Sequence, residues 1–282
     1  MAHTTDPVST SVGNGKRMST PVNALTIDFE DWYHGLEIPM SGWTGFEDRM
    51  ERAGRKTLQM FADAGTRATF FVLGWVAEKY PHLVREIAAA GHEVGTHGYS
   101  HTLVYKLEPD VFRAELERSI KVLEDLVGKP VLGHRAPFFS ITKQSLWALD
   151  IMGELGIRYD SSIYPVYNYR YGIEDAPRWP YPITQAGRTM LEFPISTWRL
   201  FGKNLPIAGG AYFRIYPYAL TRAGFRAING AGHPAVFYLH PWELDPDHPR
   251  VPFAMGPRVT HYWNLAATEP RLRRLLADFR FA

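Results

Sequence analysis

The chain has no cysteine. Disulfides and thiolate ligands are therefore excluded, and any bound metal must be held by His, Asp or Glu. It has almost no charge excess: 31 Lys and Arg stand against 29 Asp and Glu, too even a balance for the basic footprint of a nucleic-acid or anionic-membrane partner. Long apolar runs are missing too, and none approaches the ~20 residues of a transmembrane helix. The stretch from Met1 to Pro21 is rich in Ser, Thr and Gly and lacks the apolar core of a signal peptide. The expectation is a disordered tail over residues 1–22 on a cytoplasmic protein. What is present is core-forming material: 282 residues with 45% hydrophobic content suffice for one large domain, expected over residues 23–282.

Amphipathic helical patterns alternate with short β-rich runs, and a glycine punctuates each change. Arg49 to Ala64 ends at Gly65 before Ala68 to Val72, and Pro81 to Ala90 ends at Gly91 before Glu93 to Gly95. Pro109 to Val127 ends at Gly128 before Pro130 to Leu132, and Thr142 to Leu155 ends at Gly156 before Ile157 to Tyr159. This succession predicts βαβ units and a largely parallel sheet, open or closed into a barrel. In either architecture ligands bind at the carboxyl ends of the strands.

Polar chemistry falls at those ends. Asp28, with Glu30 and Asp31, follows Ala24 to Ile27; His97 and His101 follow Glu93 to Thr96; Arg135 follows Val131 and Leu132; Asp160 follows Ile157 to Tyr159; His240 follows Ala235 to Leu239. Two histidines four residues apart are by themselves a weak motif. Gly98 and Ser100 between them suit a loop or first helical turn that presents both imidazoles to one ion. The acidic cluster offers one carboxylate to ligate a metal and another to take a proton from water. Arg135 in Gly133-His-Arg-Ala-Pro137 is a cation to pair with the catalytic carboxylate. His240, in His240-Pro-Trp-Glu243, is a candidate general acid.

Thr26-Ile-Asp28-Phe-Glu-Asp31, His97-Gly-Tyr-Ser-His101, Arg135-Ala-Pro-Phe138, Tyr159-Asp160-Ser-Ser162 and Leu239-His240 resemble, in order, the five motifs of the polysaccharide deacetylase family, also called the NodB homology family. The resemblance runs from about Ala24 to Asp245. Beyond it, His240 to Pro246 and the segment from His261 to Leu276 resemble the subgroup linked to exosortase and exopolysaccharide clusters, which gives residues 246–282 a subgroup-specific character. The family implies an α/β fold, a distorted (β/α)7 barrel in a single domain. It implies a hydrolase of carbon–nitrogen bonds other than peptide bonds, one that removes N-acetyl groups from hexosamine units and here serves exopolysaccharide biosynthesis. By the same resemblance Asp28 is the base, Arg135 its tether, His240 the acid and Asp160 the residue that orients and tunes it. His97 and His101 ligate a divalent metal, zinc first with cobalt or nickel as alternatives. The backbone N–H of Phe138 helps hold the oxyanion, and Trp32, Pro137 and Trp242 meet the sugar. The implied partner is an acetylated polysaccharide or a lipid-linked oligosaccharide at the inner face of the membrane.

The family's first motif has adjacent aspartates, whereas Phe29 and Glu30 separate Asp28 from Asp31 here. Asp31 is preferred as the third metal ligand, with Glu30 as the alternative. The fourth motif lacks its second aspartate and tryptophan, with Ser162 and Tyr164 nearby instead. Among candidate loop aromatics (Trp43, Tyr164, Tyr167, Tyr169, Tyr171, Trp179), the Pro- and Tyr-rich run from Tyr164 to Tyr181 reads either as a substrate-facing insertion or as a packed cap. Two other functions fit the same residues: an amidase for small amides or cyclic ureides, and a non-catalytic carbohydrate-binding protein.

Overall fold

Seven short strands lie side by side in one direction. They are β1 (Ala24–Phe29), β2 (Thr69–Val72), β3 (Glu93–Thr96), β4 (Gly133–His134), β5 (Tyr159–Asp160), β7 (Arg188–Glu192) and β10 (Val236–Leu239), with β6 (Tyr181–Gln185) antiparallel on the β7 edge. The order across the sheet is β10-β1-β2-β3-β4-β5-β7-β6, and a separate hairpin pairs β8 (Thr197–Leu200) with β9 (Lys203–Pro206). This computed structural model describes residues 21–185, 187–252 and 255–282; the tail expected at 1–22 lies, as far as residue 20, outside the described residues.

The sheet curls into a half-barrel of the expected (β/α)7 type, one domain across which β1 and β10 are neighbours. Between β7 and β10 the chain that leaves β7 bridges the gap. Ser196 N–H donates to the Val236 carbonyl (3.2 Å), and Tyr238 N–H donates to the Ala208 carbonyl (3.1 Å).

The helices cover the sheet because each carries an apolar stripe at helical spacing. In α1 (Met50–Ala64) the buried positions are Met50, Ala53, Gly54, Thr57, Met60 and Phe61, and the helix stops at Gly65 in the left-handed conformation (φ 61). The small α2 (Gly74–Lys79) and α3 (Pro81–Ala89) follow. In α4 (Pro109–Val127) Phe112, Leu116, Ile120 and Leu123 face inward, with Gly128 (φ 67) as the stop. Each such side chain, fully buried, contributes about 1.5–3 kcal/mol. The helix expected from Thr142 begins later, as α5 (Trp147–Glu154). The preceding residues form a turn in which Thr142 N–H donates to Ser145 Oγ (2.9 Å). The strand expected at Pro130 to Leu132 is displaced to Gly133–His134. Only glycine permits this pairing, since a Cβ at Gly133 would lie 2.2 Å from the Tyr159 ring. The chain continues through α6 (Gly210–Ile215) and α7 (Tyr218–Gly230), and after β10 through α8 (Met255–Tyr262) and α9 (Thr268–Asp278), to a bridge between Phe281 and Asn23. Among the described residues no helix is long and apolar enough to cross a membrane.

Candidate active and metal site

Parallel strands point all their carboxyl ends to one face, and the polar residues converge there. Asp28 sits inside β1, buried, and Arg135 follows β4 with no exposure at all. The Arg135 Nη1 lies 2.7 Å from Asp28 Oδ1 and also donates to Thr26 Oγ1 (2.8 Å). Its Nε donates to the Ser161 carbonyl (3.0 Å), its Nη2 to Ser161 Oγ (2.8 Å), and the guanidinium rests on the Phe71 ring (4.3 Å). A buried cation left unpaired would cost several kcal/mol; held by four acceptors it fixes one oxygen of Asp28 in place.

Beside this pair, Glu30, His97 and His101 are buried with one ligand atom each, all within 4.8 Å of one another. Glu30 Oε2 stands 3.7 Å from His97 Nε2 and pairs closely with His101 Nε2. Gly98 takes a left-handed backbone (φ 73) in the loop between the histidines, and His101 does so without being glycine (φ 54), a strain on the order of 1 kcal/mol or more. Burial holds His97 neutral, down at about 4 despite the nearby Asp28 charge. Its Nδ1 donates to the Arg135 carbonyl (2.8 Å). The Nε2 lone pair of neutral His97 therefore faces a carboxylate oxygen. Two acceptors converging in a buried site repel unless a cation lies between them, and a His, His, carboxylate set is one that divalent zinc accepts. Burial raises the Glu30 carboxyl, but the charge and hydrogen bonding of His101, with the charge of His240, outweigh it and hold it far below the usual carboxylate range.

Of the two carboxylates offered as third ligand, Glu30 rather than the preferred Asp31 lies in this cluster. The Asp31 carboxylate is turned away and accepts backbone N–H groups, from Trp32 at Oδ1 (2.8 Å) and from Arg49, at the start of α1, at Oδ2 (2.7 Å). Burial pushes it up to about 7 in spite of those donors. Its backbone N–H in turn donates to His34 Nδ1 (2.8 Å), a fully buried imidazole 6.3 Å from the His101 ring that the sequence reading passed over.

His240 closes the opposite side. Its Nε2 is 3.8 Å from Asp28 Oδ2 and 3.8 Å from Glu30 Oε1, and its side chain keeps 18% exposure. The residue expected to orient it, Asp160, does not reach it. Asp160 Oδ1 is bound by His134 Nδ1 (2.7 Å) and Ser162 Oγ (2.6 Å), on the Arg135 side. Ser162 Oγ in turn accepts the Ala136 N–H (2.7 Å), so Asp160 braces the loop that carries Arg135. Glu243 holds His240 instead, through Nδ1 (2.8 Å) and the backbone N–H (3.2 Å), the second half of a capping box at Pro241–Leu244. The other oxygen of Glu243 accepts Arg214 Nε (2.6 Å). Arg214, fully buried, donates further to the carbonyls of Thr260 (2.6 Å), His261 (3.2 Å) and Trp263 (2.7 Å). Burial opposes charge on both partners. The Arg214 charge nonetheless brings Glu243 down to about 2, and Glu243, with Glu30 and Asp28, brings His240 up to about 9. His240 therefore carries its proton at neutral pH. Glu243 was visible as a carboxylate three residues after His240; nothing local marks Arg214.

Of the expected sugar-contacting residues, Trp32 is fully buried with its Nε1 donating to the Glu47 carbonyl (3.0 Å), so it offers no free ring face. Pro137 is buried as well. Trp242 is stacked between His240 (5.1 Å) and His261 (4.4 Å) with 5% exposure. Phe138, left-handed at φ 54, sets its ring against His101 (4.5 Å), a member of the Glu30–His97–His101 cluster.

A curled parallel sheet thus carries a Glu–His–His cluster and an Arg-tethered aspartate at its carboxyl face. The pattern of the family described as Polysaccharide deacetylase matches residues 41–159, and that described as Domain of unknown function (DUF3473) matches residues 161–282. Relatives support the first assignment: a peptidoglycan-N-acetylglucosamine deacetylase of Bacillus cereus is 35% identical over 96 residues, 34% of this chain and 35% of its own length. The chain thus spans about a third of that relative. The fold matches a putative polysaccharide deacetylase of Mycobacterium smegmatis (TM-score 0.63, 21% identity, 97% of this chain and 90% of that one). It also matches an allantoinase (TM-score 0.57, 17% identity, 93% and 85%). The two sequence patterns meet at residue 160, yet one sheet runs through both, so Asp28 and His240 come to one face from different halves of the chain.

Proposed function

We propose that this protein is a metal-dependent hydrolase of carbon–nitrogen bonds that removes N-acetyl groups from hexosamine units of a polysaccharide. The observation that carries the reading is the meeting of Asp28 and His240, 3.8 Å apart, beside the buried Glu30, His97 and His101. Glu30, His97 and His101 would hold the divalent cation, zinc first, which when bound supplies a Lewis acid to polarise the acetamide oxygen and acidify water. Arg135 occupies Asp28 Oδ1 and leaves Oδ2 free to take the proton from water. His240 Nε2 carries the proton that the amine nitrogen needs to leave, and Glu243 keeps that proton on Nε2 by accepting from Nδ1. The Phe138 N–H is the donor for the developing oxyanion. Asp31 acts on structure, and Asp160 acts through the Arg135 loop.

An exopolysaccharide or its lipid-linked precursor as substrate, at the inner face of the membrane, is supported by the likeness of residues 246–282 to the exosortase-linked subgroup. The small-amide reading draws on the allantoinase likeness, which is one of fold alone. A purely carbohydrate-binding role leaves the base, acid and their tethers without a purpose. The test is acetate release from N-acetylhexosamine oligomers and acetylated exopolysaccharide before chelation, after it, and after adding back zinc, cobalt or nickel. Metal-restored release from a saccharide is expected. Turnover of small amides or cyclic ureides with no saccharide release overturns the reading.

A further inference from the structure

We infer that Glu192 is a positioning residue for the Asp28–Arg135 pair: it shares one proton with Asp160, and together they fix residues 160–163, which hold the arginine. This rests on the hydrolase reading above, in which Asp28 is the base. Asp160 and Glu192 are direct register partners on the parallel strands β5 and β7, and both are buried. The segment they frame runs from Asp160 to Ile163. At one end Phe193 N–H donates to the Asp160 carbonyl (2.8 Å), and at the other Ile163 N–H donates to Glu192 Oε1 (2.9 Å). Between them stands Ser161, whose carbonyl and hydroxyl accept from Arg135 Nε and Nη2, and whose hydroxyl proton goes to the Phe193 carbonyl (2.6 Å). Glu192 and Phe193 thus hold the segment that accepts the Arg135 guanidinium, and Arg135 in turn holds Asp28.

The two carboxyl groups themselves require the proton. Asp160 Oδ1 accepts from His134 Nδ1 and Ser162 Oγ, and Glu192 Oε1 accepts the Ile163 N–H. The second oxygens, Asp160 Oδ2 and Glu192 Oε2, are buried and receive no donor among the described residues, although the two carboxyl groups are hydrogen-bond neighbours. Two bare carboxylates side by side out of water repel, and each would leave an acceptor empty. One proton removes both faults: an O–H on Glu192 donates to the Asp160 carboxylate in a charge-assisted bond. The groups around Glu192 agree. Burial raises its carboxyl, the Asp160 charge from β5 raises it further, and Arg135 after β4 opposes. Tyr181, its partner on β6, has its hydroxyl raised by burial and by both carboxyl groups, so it stays neutral. His134 on β4 gives its Nδ1 proton to Asp160. The pair then carries one negative charge beside Arg135. Loss of the proton places a second anion there, in competition with Asp28 for the guanidinium.

The experiment compares wild type with Glu192→Ala and Glu192→Gln by infrared spectroscopy, zinc content, and kcat and KM for acetate release from N-acetylglucosamine oligomers. At neutral pH wild type should show the C=O stretch of a buried carboxylic acid, and Glu192→Gln should lack it. Alanine keeps neither bond of Glu192, and kcat per bound zinc should fall on the order of tenfold, with KM and zinc content unchanged. Glutamine keeps both, an N–H for Asp160 and an oxygen for Ile163, and should rescue kcat. An acid band absent from wild type, or surviving in Glu192→Gln, overturns the shared proton. A Glu192→Ala protein with the wild-type kcat overturns the positioning role, since a residue serving folding alone would leave kcat per zinc unchanged. A Glu192→Gln protein as slow as Glu192→Ala overturns it too, because a neutral donor should suffice. If Glu192→Ala does not fold, the band and the kcat of Glu192→Gln decide. A wild type that releases no acetate but shows the band, with its loss in Glu192→Gln, removes the deacetylase reading and leaves the shared proton standing.

Discussion

The two sides of the proposed catalytic centre are built differently. Asp28 and Arg135 are held from within the sheet by neighbouring strands, fully out of solvent. His240 keeps some exposure and is held by a relay, Glu243 to Arg214 to the carbonyls at the end of α8. The base side owes its geometry to strand order. The acid side owes it to one buried arginine that ties the last third of the chain to the site.

The sharpest break is on the base side. Asp28→Asn should lower acetate release by about 10²–10⁴-fold, with metal content by atomic absorption unchanged; an active Asp28→Asn enzyme would remove the assignment. On the acid side His240→Ala should lose a similar factor on acetamides. It should lose far less on 4-nitrophenyl acetate, whose leaving group needs no proton, and equal losses on both would point to simple disruption of the site. The next contrast separates the two tethers. Glu243→Gln should cost on the order of 10- to 100-fold, as partners of functional histidines typically do, and Asp160→Asn less on the ratio of acetamide to ester turnover. The reverse order would restore Asp160 as the partner of the acid.

Metal content tests the carboxylates. Glu30→Gln should bind substoichiometric zinc, whereas Asp31→Ala should keep full zinc and lose about 1–2 kcal/mol of stability through the unsatisfied N–H of Arg49 and Trp32. A last effect, read on stability alone, concerns Glu192, which burial and the Asp160 charge raise well above the usual carboxylate range. Folded Glu192 keeps its proton where the unfolded chain has released it, so stability is full below pH 4.5 and falls as pH rises toward the folded value. The fall is at most about 1.4 kcal/mol per pH unit. Glu192→Gln should flatten that slope in urea melts between pH 5 and 8.

The sequence disclosed what alternation and strand ends encode. Asp28, His97, His101, Arg135 and His240 each end or follow an apolar strand, and the helix stops at Gly65 and Gly128 coincide with left-handed glycines. It did not disclose which of two neighbouring carboxylates turns inward. That depends on the backbone as it leaves β1, where Glu30 N–H bonds back to the Asp28 carbonyl (3.1 Å), and no periodicity reports it. Nor could it pair His240 with Arg214, because the contacts run through Glu243 and carbonyls of α8. Nor did it disclose the burial of Trp32, since an aromatic beside a polar motif looks the same in sequence whether it faces ligand or core.

The pairing of β1 with β10 sets an order of assembly. Asn23 and Ala235, 212 positions apart, are joined by a hydrogen bond at the start of these two strands, a closure of high contact order that is slow and late. A chain still emerging from the ribosome holds Glu30, His97, His101 and Asp28 long before it holds His240. The cluster of Glu30, His97 and His101 is thus complete in sequence before the imidazole that faces it across Asp28. The proposed centre closes only with the last parallel strand, as a by-product of finishing the fold.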